Sequence, residues 1–145
     1  MEIMGTTLAI AASALRAERQ RLDIIASNLA NANTTETAAG GPYRRRNVIF
    51  STESVGSDFG DTLAMLGEGP QSVAVTGIVE DKTPPRMVFD PGHPDADKDG
   101  YVAFPNVNPV TEMVDLQTAT RAYEANVQVV NATKRMAESA LAIGA

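Results

Sequence analysis

The 145-residue sequence contains no cysteine, no tryptophan and a single histidine, His93. Without thiols there is no disulfide framework, no cysteine nucleophile and no thiolate zinc site. A lone imidazole excludes any metal site or triad that needs two. Aromatic residues are 5% of the chain, too few for a platform on which nucleic-acid bases stack. Twelve basic residues face eighteen acidic ones, a formal charge of −6, which disfavours nucleic acid and anionic lipid as partners. No stretch approaches the ~20 apolar residues that span a bilayer. The short apolar run near the start ends in Ala12-Ser13-Ala14, which resembles a cleavage site. No Lys or Arg precedes it and Glu2 is acidic, which argues against a cleaved signal peptide. These absences leave little for catalysis. The chain is expected to be no enzyme and to carry no cofactor and no metal.

What is present is unevenly distributed. All eight prolines lie between Pro42 and Pro109, and nine of eleven glycines between Gly40 and Gly100. Both ends are therefore almost free of helix breakers, and the middle is full of them. Residues 36–104 hold eleven acids against six bases, so −5 of the net charge sits in the middle. The organisation expected is an N-terminal helix within 1–35, a β-rich and loop insert over 36–104, and a C-terminal helix within 105–145.

In the first helix leucine recurs every seventh residue, at Leu8, Leu15, Leu22 and Leu29. Met4, Ala11, Ile25 and Ala32 fill the intermediate positions, with Glu18 the exception. That is a heptad seam. In the second helix Met113, Leu116, Thr120, Tyr123, Val127, Val130, Lys134, Ala137 and Leu141 follow steps of three and four. Asn108 is a good N-cap, and Pro109 suits the first helical position. The pattern predicts helices over Leu8–Asn33 and Pro109–Ile143. The fold class expected is mainly α: an antiparallel pair of long coiled-coil helices with a small β-rich, irregular insert. Apolar residues also lie off both seams, among them Ile10, Ile24, Val114, Val129 and Met136. Two helices cannot bury all of these, so further helices from other subunits are expected.

In the insert, Tyr43–Ser51, Val73–Asp81, Arg86–Phe89 and Tyr101–Phe104 read as extended segments, and Ser57–Gly69 as a flexible loop. Arg44-Arg45-Arg46 alternates faces in a strand, so it reads as a solvated strand edge. Asp95-Ala-Asp97-Lys-Asp99-Gly100 matches the first half of a calcium loop. Asn106 then stands where a bidentate Glu should close the site, and Pro91 and Pro94 preclude a regular entering helix. The loop reads as an Asp/Gly turn leading into Tyr101–Phe104. A calcium-responsive or adaptor coiled-coil module is the alternative reading of the whole chain. His93 has no evident nucleophile or orienting carboxylate, so its role reads as structural.

Three stretches carry a resemblance. They are Leu22-Asp-Ile-Ile-Ala-Ser-Asn28-Leu-Ala-Asn31-Ala-Asn33-Thr34, the block from Phe89 to Asn108, and Glu112-Met-Val-Asp with Ala119-Thr-Arg-Ala-Tyr-Glu-Ala-Asn126. The first resembles the asparagine-rich signature of the bacterial flagellar axial proteins. The other two, with Gly41–Phe50, are similar to a proximal-rod member of that family. The resemblance covers nearly the whole chain. It departs after Thr34, where the family often continues Thr-Pro-Gly-Tyr. It implies a structural subunit exported unfolded by the flagellar type III apparatus, without cleavage, into a periplasmic rod that transmits torque. It implies copies of the same chain, other rod subunits, the export apparatus and the membrane ring at the rod base as partners. The assembly interface expected comprises Leu8, Leu15, Leu22, Ile25, Asn28, Leu29, Asn31 and Asn33 from the first helix. From the second come Met113, Leu116, Tyr123, Asn126, Val127, Val130 and Leu141.

Overall fold

The computed structural model describes residues 2–55 and 69–143. Helix α1 (Glu2–Ala30) is followed by strands β1 (Arg46–Ser54), β2 (Gln71–Glu80), β3 (Arg86–Phe89) and β4 (Tyr101–Phe104), then helix α2 (Pro109–Ile143). Apart from Gly69, the loop expected over Ser57–Gly69 lies outside the described residues.

Local chemistry sets the helix ends that face the insert. Asn108 Oδ1 accepts the Val110 N–H at 3.0 Å and its carbonyl accepts the Glu112 N–H at 3.0 Å, so orphan donors of the first turn are satisfied. At the end of α1, Asn31 folds back so that its backbone N–H and its Nδ2 both reach the Ser27 carbonyl, at 3.1 and 2.9 Å. Thr34 closes the turn through the Asn31 carbonyl.

The strands form two separate antiparallel pairs, β1 with β2 and β3 with β4. Ile49 faces Gly77 while Phe50 faces Val75, so Thr76 is an extra residue that bulges β2. The first strand begins at Arg46, three residues later than expected. Tyr43 and Arg45 spend their backbone N–H groups elsewhere, on the Thr34 carbonyl and Asn106 Oδ1. An edge of β2 leans on α1: Ser13 Oγ accepts the Val73 N–H at 3.1 Å and donates to the Ile10 carbonyl at 2.7 Å. A strand edge covered by a helix is closed to further pairing. At the end of β2, Asp81 accepts the Thr83 hydroxyl at 2.6 Å and the Thr83 N–H at 2.9 Å, which holds its carboxyl below its ordinary range.

The β3–β4 pair buries Val102 completely and turns through Gly100 at φ +81°. A Cβ there would also lie 2.9 Å from the Phe89 ring. Gly100→Ala should therefore lower stability by about 1–2 kcal/mol, chiefly from the left-handed backbone. A fall of the thermal midpoint by several degrees is the expected reading, and an unchanged midpoint would contradict this account of the turn.

The fold is not the mainly α one expected. Two helices are accompanied by two small antiparallel sheets, and the helices do not form a long coiled-coil pair. The reason lies in how α1 is used. Its buried positions are Ala11, Ser13, Ala17, Ile25 and Asn28. At 3.6 residues per turn they span about 160° of the helix surface, far wider than a coiled-coil seam. That arc is shared between α2, β2 and β1. On α2 only half of the expected seam is kept. Leu116, Tyr123, Val130 and Ala137 are half-buried as one row. Of the other expected row Met113, Thr120, Lys134 and Leu141 are exposed and only Val127 is half-buried, so the second packed row is a different one. It runs one residue earlier, through Glu112, Ala119, Asn126 and Thr133, of which all but half-buried Asn126 are buried. Hydrophobicity alone picked the bulkier row. Small Ala119 and Thr133 permit close approach, and the Thr133 hydroxyl is satisfied by the Val129 carbonyl at 2.9 Å.

Candidate functional site

The end of α1, the segment entering β1 and the first turns of α2 meet in a buried polar junction. Asn28, fully buried, is its centre. Its Nδ2 donates to the Arg46 carbonyl at 2.8 Å and to Glu112 Oε2 at 3.1 Å. Its Oδ1 accepts the Arg46 N–H and the Tyr43 hydroxyl, both at 2.9 Å. All four hydrogen-bonding places of the amide are thus filled.

Glu112 is the second member, also fully buried. A carboxylate in that position requires a cation, and Arg45 supplies it by donating Nε to Oε1. Arg45 spreads its other nitrogens to Asn47 Oδ1 at 2.7 Å and to Asp115 Oδ2 at 3.4 Å. Arg46 turns the other way. Its guanidinium reaches the Tyr43 hydroxyl at 3.1 Å and Ser27 Oγ at 3.0 Å, and lies 5.5 Å from the Tyr43 ring centroid. Of the arginine triplet only Arg44 is exposed; the other two are half-buried and engaged. The solvated-edge reading is corrected: two cations enter the chain because buried acceptors from both helices await them.

The structure divides the expected interface residues. Ile25 and Asn28 are buried within the chain. Leu15, Leu22, Leu29 and Asn31 are half-buried, as are Leu116, Tyr123, Asn126, Val127 and Val130. Leu8, Met113 and Leu141 face outward at 37, 52 and 65% exposure, and Asn33 is exposed. Outside the expected set, Val110, Val114, Val129 and Met136 are also exposed on α2. Sequence reasoning missed Tyr43, Arg46 and Glu112 as partners of Asn28, and Arg45 as the partner of Glu112. Hydrophobic periodicity gave no signal for Glu112, which shares its row with Ala119, Asn126 and Thr133.

In the Asp-rich loop, Asp97 Oδ1 accepts the backbone N–H groups of Asp99 and Tyr101 at 2.9 and 2.8 Å. Asp95 accepts the Thr35 hydroxyl at 2.6 Å. These bonds shape a turn into β4. The Asp95 N–H donates to His93 Nδ1 at 3.1 Å. An Asp95 carboxylate oxygen also lies 3.8 Å from that nitrogen, but the shorter backbone bond uses it as an acceptor. Among the described residues no helix is long and apolar enough to cross a membrane.

Comparison with known proteins supplies the family. Residues 8–36 match the family described as Flagella basal body rod protein. Residues 98–143 match the family described as Flagellar basal body rod FlgEFG protein C-terminal. Over 95% of both chains, the sequence is 45% identical to the flagellar basal-body rod protein FlgC of Borreliella burgdorferi. It is 44% identical to that of Bacillus subtilis, over 95% of this chain and 96% of the relative. It is 40% identical to that of Salmonella typhimurium, over 93% of each. With identity of this level along almost the entire length, the chain belongs to the FlgC family of flagellar basal-body rod proteins.

Proposed function

We propose that this chain, a structural subunit of the flagellar basal-body rod, is joined to its neighbours through the outward apolar residues of α1 and α2. The observation that carries the reading is the apolar surface left over after the chain has folded. Leu8, Met113, Val114, Val129, Met136 and Leu141 remain exposed although each helix already has a packed face. Surface of that kind marks association. Contacts repeated by a helical operator propagate instead of closing, which suits a shaft.

The polar junction has a part in the same reading. It ties both helices to the insert through hydrogen bonds and an ion pair. Load entering through the insert then passes to the helices without a hinge between them. Delivery by the flagellar export apparatus into the periplasm, and contact with the membrane ring at the rod base, belong to this proposal. The absence of cysteine suits an oxidising destination.

The test is Leu141→Asp. The residue is 65% exposed, so the purified variant should keep its unfolding free energy in urea within about 0.5 kcal/mol. Cells carrying it as the sole copy should lose swarming and yield no rods. Normal swarming would remove Leu141 from the interface.

A further inference from the structure

The two ends of the β3–β4 pair differ in charge. Its turn, residues 90–99, carries Asp90, Asp95, Asp97 and Asp99 against Lys98, a net −3. Three of these carboxylates are engaged inside the chain. Asp95 accepts the Thr35 hydroxyl, Asp97 the N–H groups of Asp99 and Tyr101, and Asp90 the Gly92 N–H at 3.2 Å. Asp99 is exposed, and its carboxylate has no partner among the described residues.

The other end is its counterpart. Arg86 opens β3 and lines a groove of about 450 Å³ whose walls include Asn33, Asn106, Val107 and Asn108. Among the described residues no acid lines it. Arg86 is exposed, lies 5.6 Å from the Phe104 ring centroid and makes no ion pair among the described residues. Asn106 spends its Oδ1 on the Arg45 N–H, and its Nδ2, shielded from solvent, has no acceptor. A shielded donor without an acceptor points to a partner that one chain lacks. Two more exposed cations belong to this end. Arg44 precedes Arg45, and the register that sets Asp81 against Arg45 sets Lys82 beside Arg44. The acids of the same stretch are Glu80 and Asp81, and Asp81 is turned to Thr83. Glu36 lines a separate groove with Asp95.

Within one chain the two ends do not meet. The strand Arg86–Phe89 holds them about 13 Å apart, at ~3.3 Å per residue. We infer that the acidic turn of one copy seats on this groove in a second copy, with the Asp99 carboxylate against the Arg86 guanidinium. Opposite charge identifies the occupant. The groove offers a cation and amide donors, and the turn supplies a carboxylate that nothing else claims. The contact uses different surfaces on the two copies, so it is heterologous and repeats. The inference rests on the assembly reading proposed above and adds to it a contact outside the helices.

To test this, cells make two variants side by side, Asn33→Cys and Lys98→Cys, in place of the natural chain. The sequence has no cysteine of its own, so each chain carries a single thiol and no link can form within a chain. Asn33 lines the groove and Lys98 adjoins Asp99, so the charged pair itself stays intact. Rods isolated from swarming cells are treated with a short bismaleimide and run under denaturing conditions. The expected product is a dimer with one chain of each kind, absent from cells that make either variant alone. Monomer only, from cells that still swarm, would overturn the contact while leaving the assembly reading intact. Dimers from either variant alone would overturn the head-to-tail arrangement. An adduct to a different rod subunit, in place of the dimer, would overturn the choice of occupant. Should the cysteine variants form no rods, charge reversal decides. Arg86→Glu and Asp99→Arg should each shrink the swarm at least twofold, and the combination should restore it. A combination no better than the worse single variant would overturn the pairing.

Discussion

Glu112→Ala should destabilise the folded chain by about 3 kcal/mol, among the largest effects of any single truncation in it. The side chain is fully buried and joins Arg45 to Asn28. Its removal leaves the guanidinium half-buried without its principal anion and strips Asn28 Nδ2 of an acceptor. Arg45 keeps Asp115 and Asn47, both weaker replacements, which places the loss below the upper limit for a broken buried pair. In urea the midpoint should fall by about 1–2 M. Replacing both partners, Arg45→Met with Glu112→Leu, should recover much of the loss, because neither charge is then stranded. Equal loss in the single and double variants would show that the ion pair is not the source of the effect.

Asn28 gives the second large effect, and for Asn28→Asp its size depends on pH. Asn28→Ala removes four hydrogen bonds and should cost about 2–4 kcal/mol. Asn28→Asp keeps the volume but puts a carboxylate oxygen where Nδ2 stood, 3.1 Å from Glu112 Oε2. At neutral pH two buried carboxylates then face each other, and the variant should be less stable than Asn28→Ala. Such a pair holds a proton more tightly folded than unfolded. The native state therefore binds more protons, and stability rises as pH falls from 7 towards the unfolded carboxylate range near ~4. Urea midpoints at pH 7 and pH 5 check this. The deficit of Asn28→Asp should narrow at pH 5 while that of Asn28→Ala stays nearly constant. Parallel behaviour of the two variants would contradict the contact with Glu112.

These residues also show where sequence reasoning works. Asn108-Pro109 as a helix start, and Arg86–Phe89 and Tyr101–Phe104 as strands, were legible because caps and short β-prone runs act over a few residues. The row through Leu116, Tyr123, Val130 and Ala137 was legible from periodicity. The row beside it was not, because it consists of Glu112, Ala119, Asn126 and Thr133, which hydrophobicity does not mark. Glu112 can face inward only because Arg45, sixty-seven positions earlier, meets it there. Nothing local encodes that meeting. Likewise, α1 gives up a narrow seam because β2 needs a cover for its edge, which Ser13 provides.

The polar junction also sets a clock. Its members come from three separated stretches, around Asn28, Arg45 and Glu112. A ribosome delivers them in that order. Until Glu112 has been made, Arg45 lacks its buried anion and Asn28 lacks an acceptor, so the half-built junction offers little reward for closing. The early part of the chain therefore gains nothing from this junction while the rest is still being made. The delivery proposed above needs an unfolded chain, and a junction that is completed last suits that proposal.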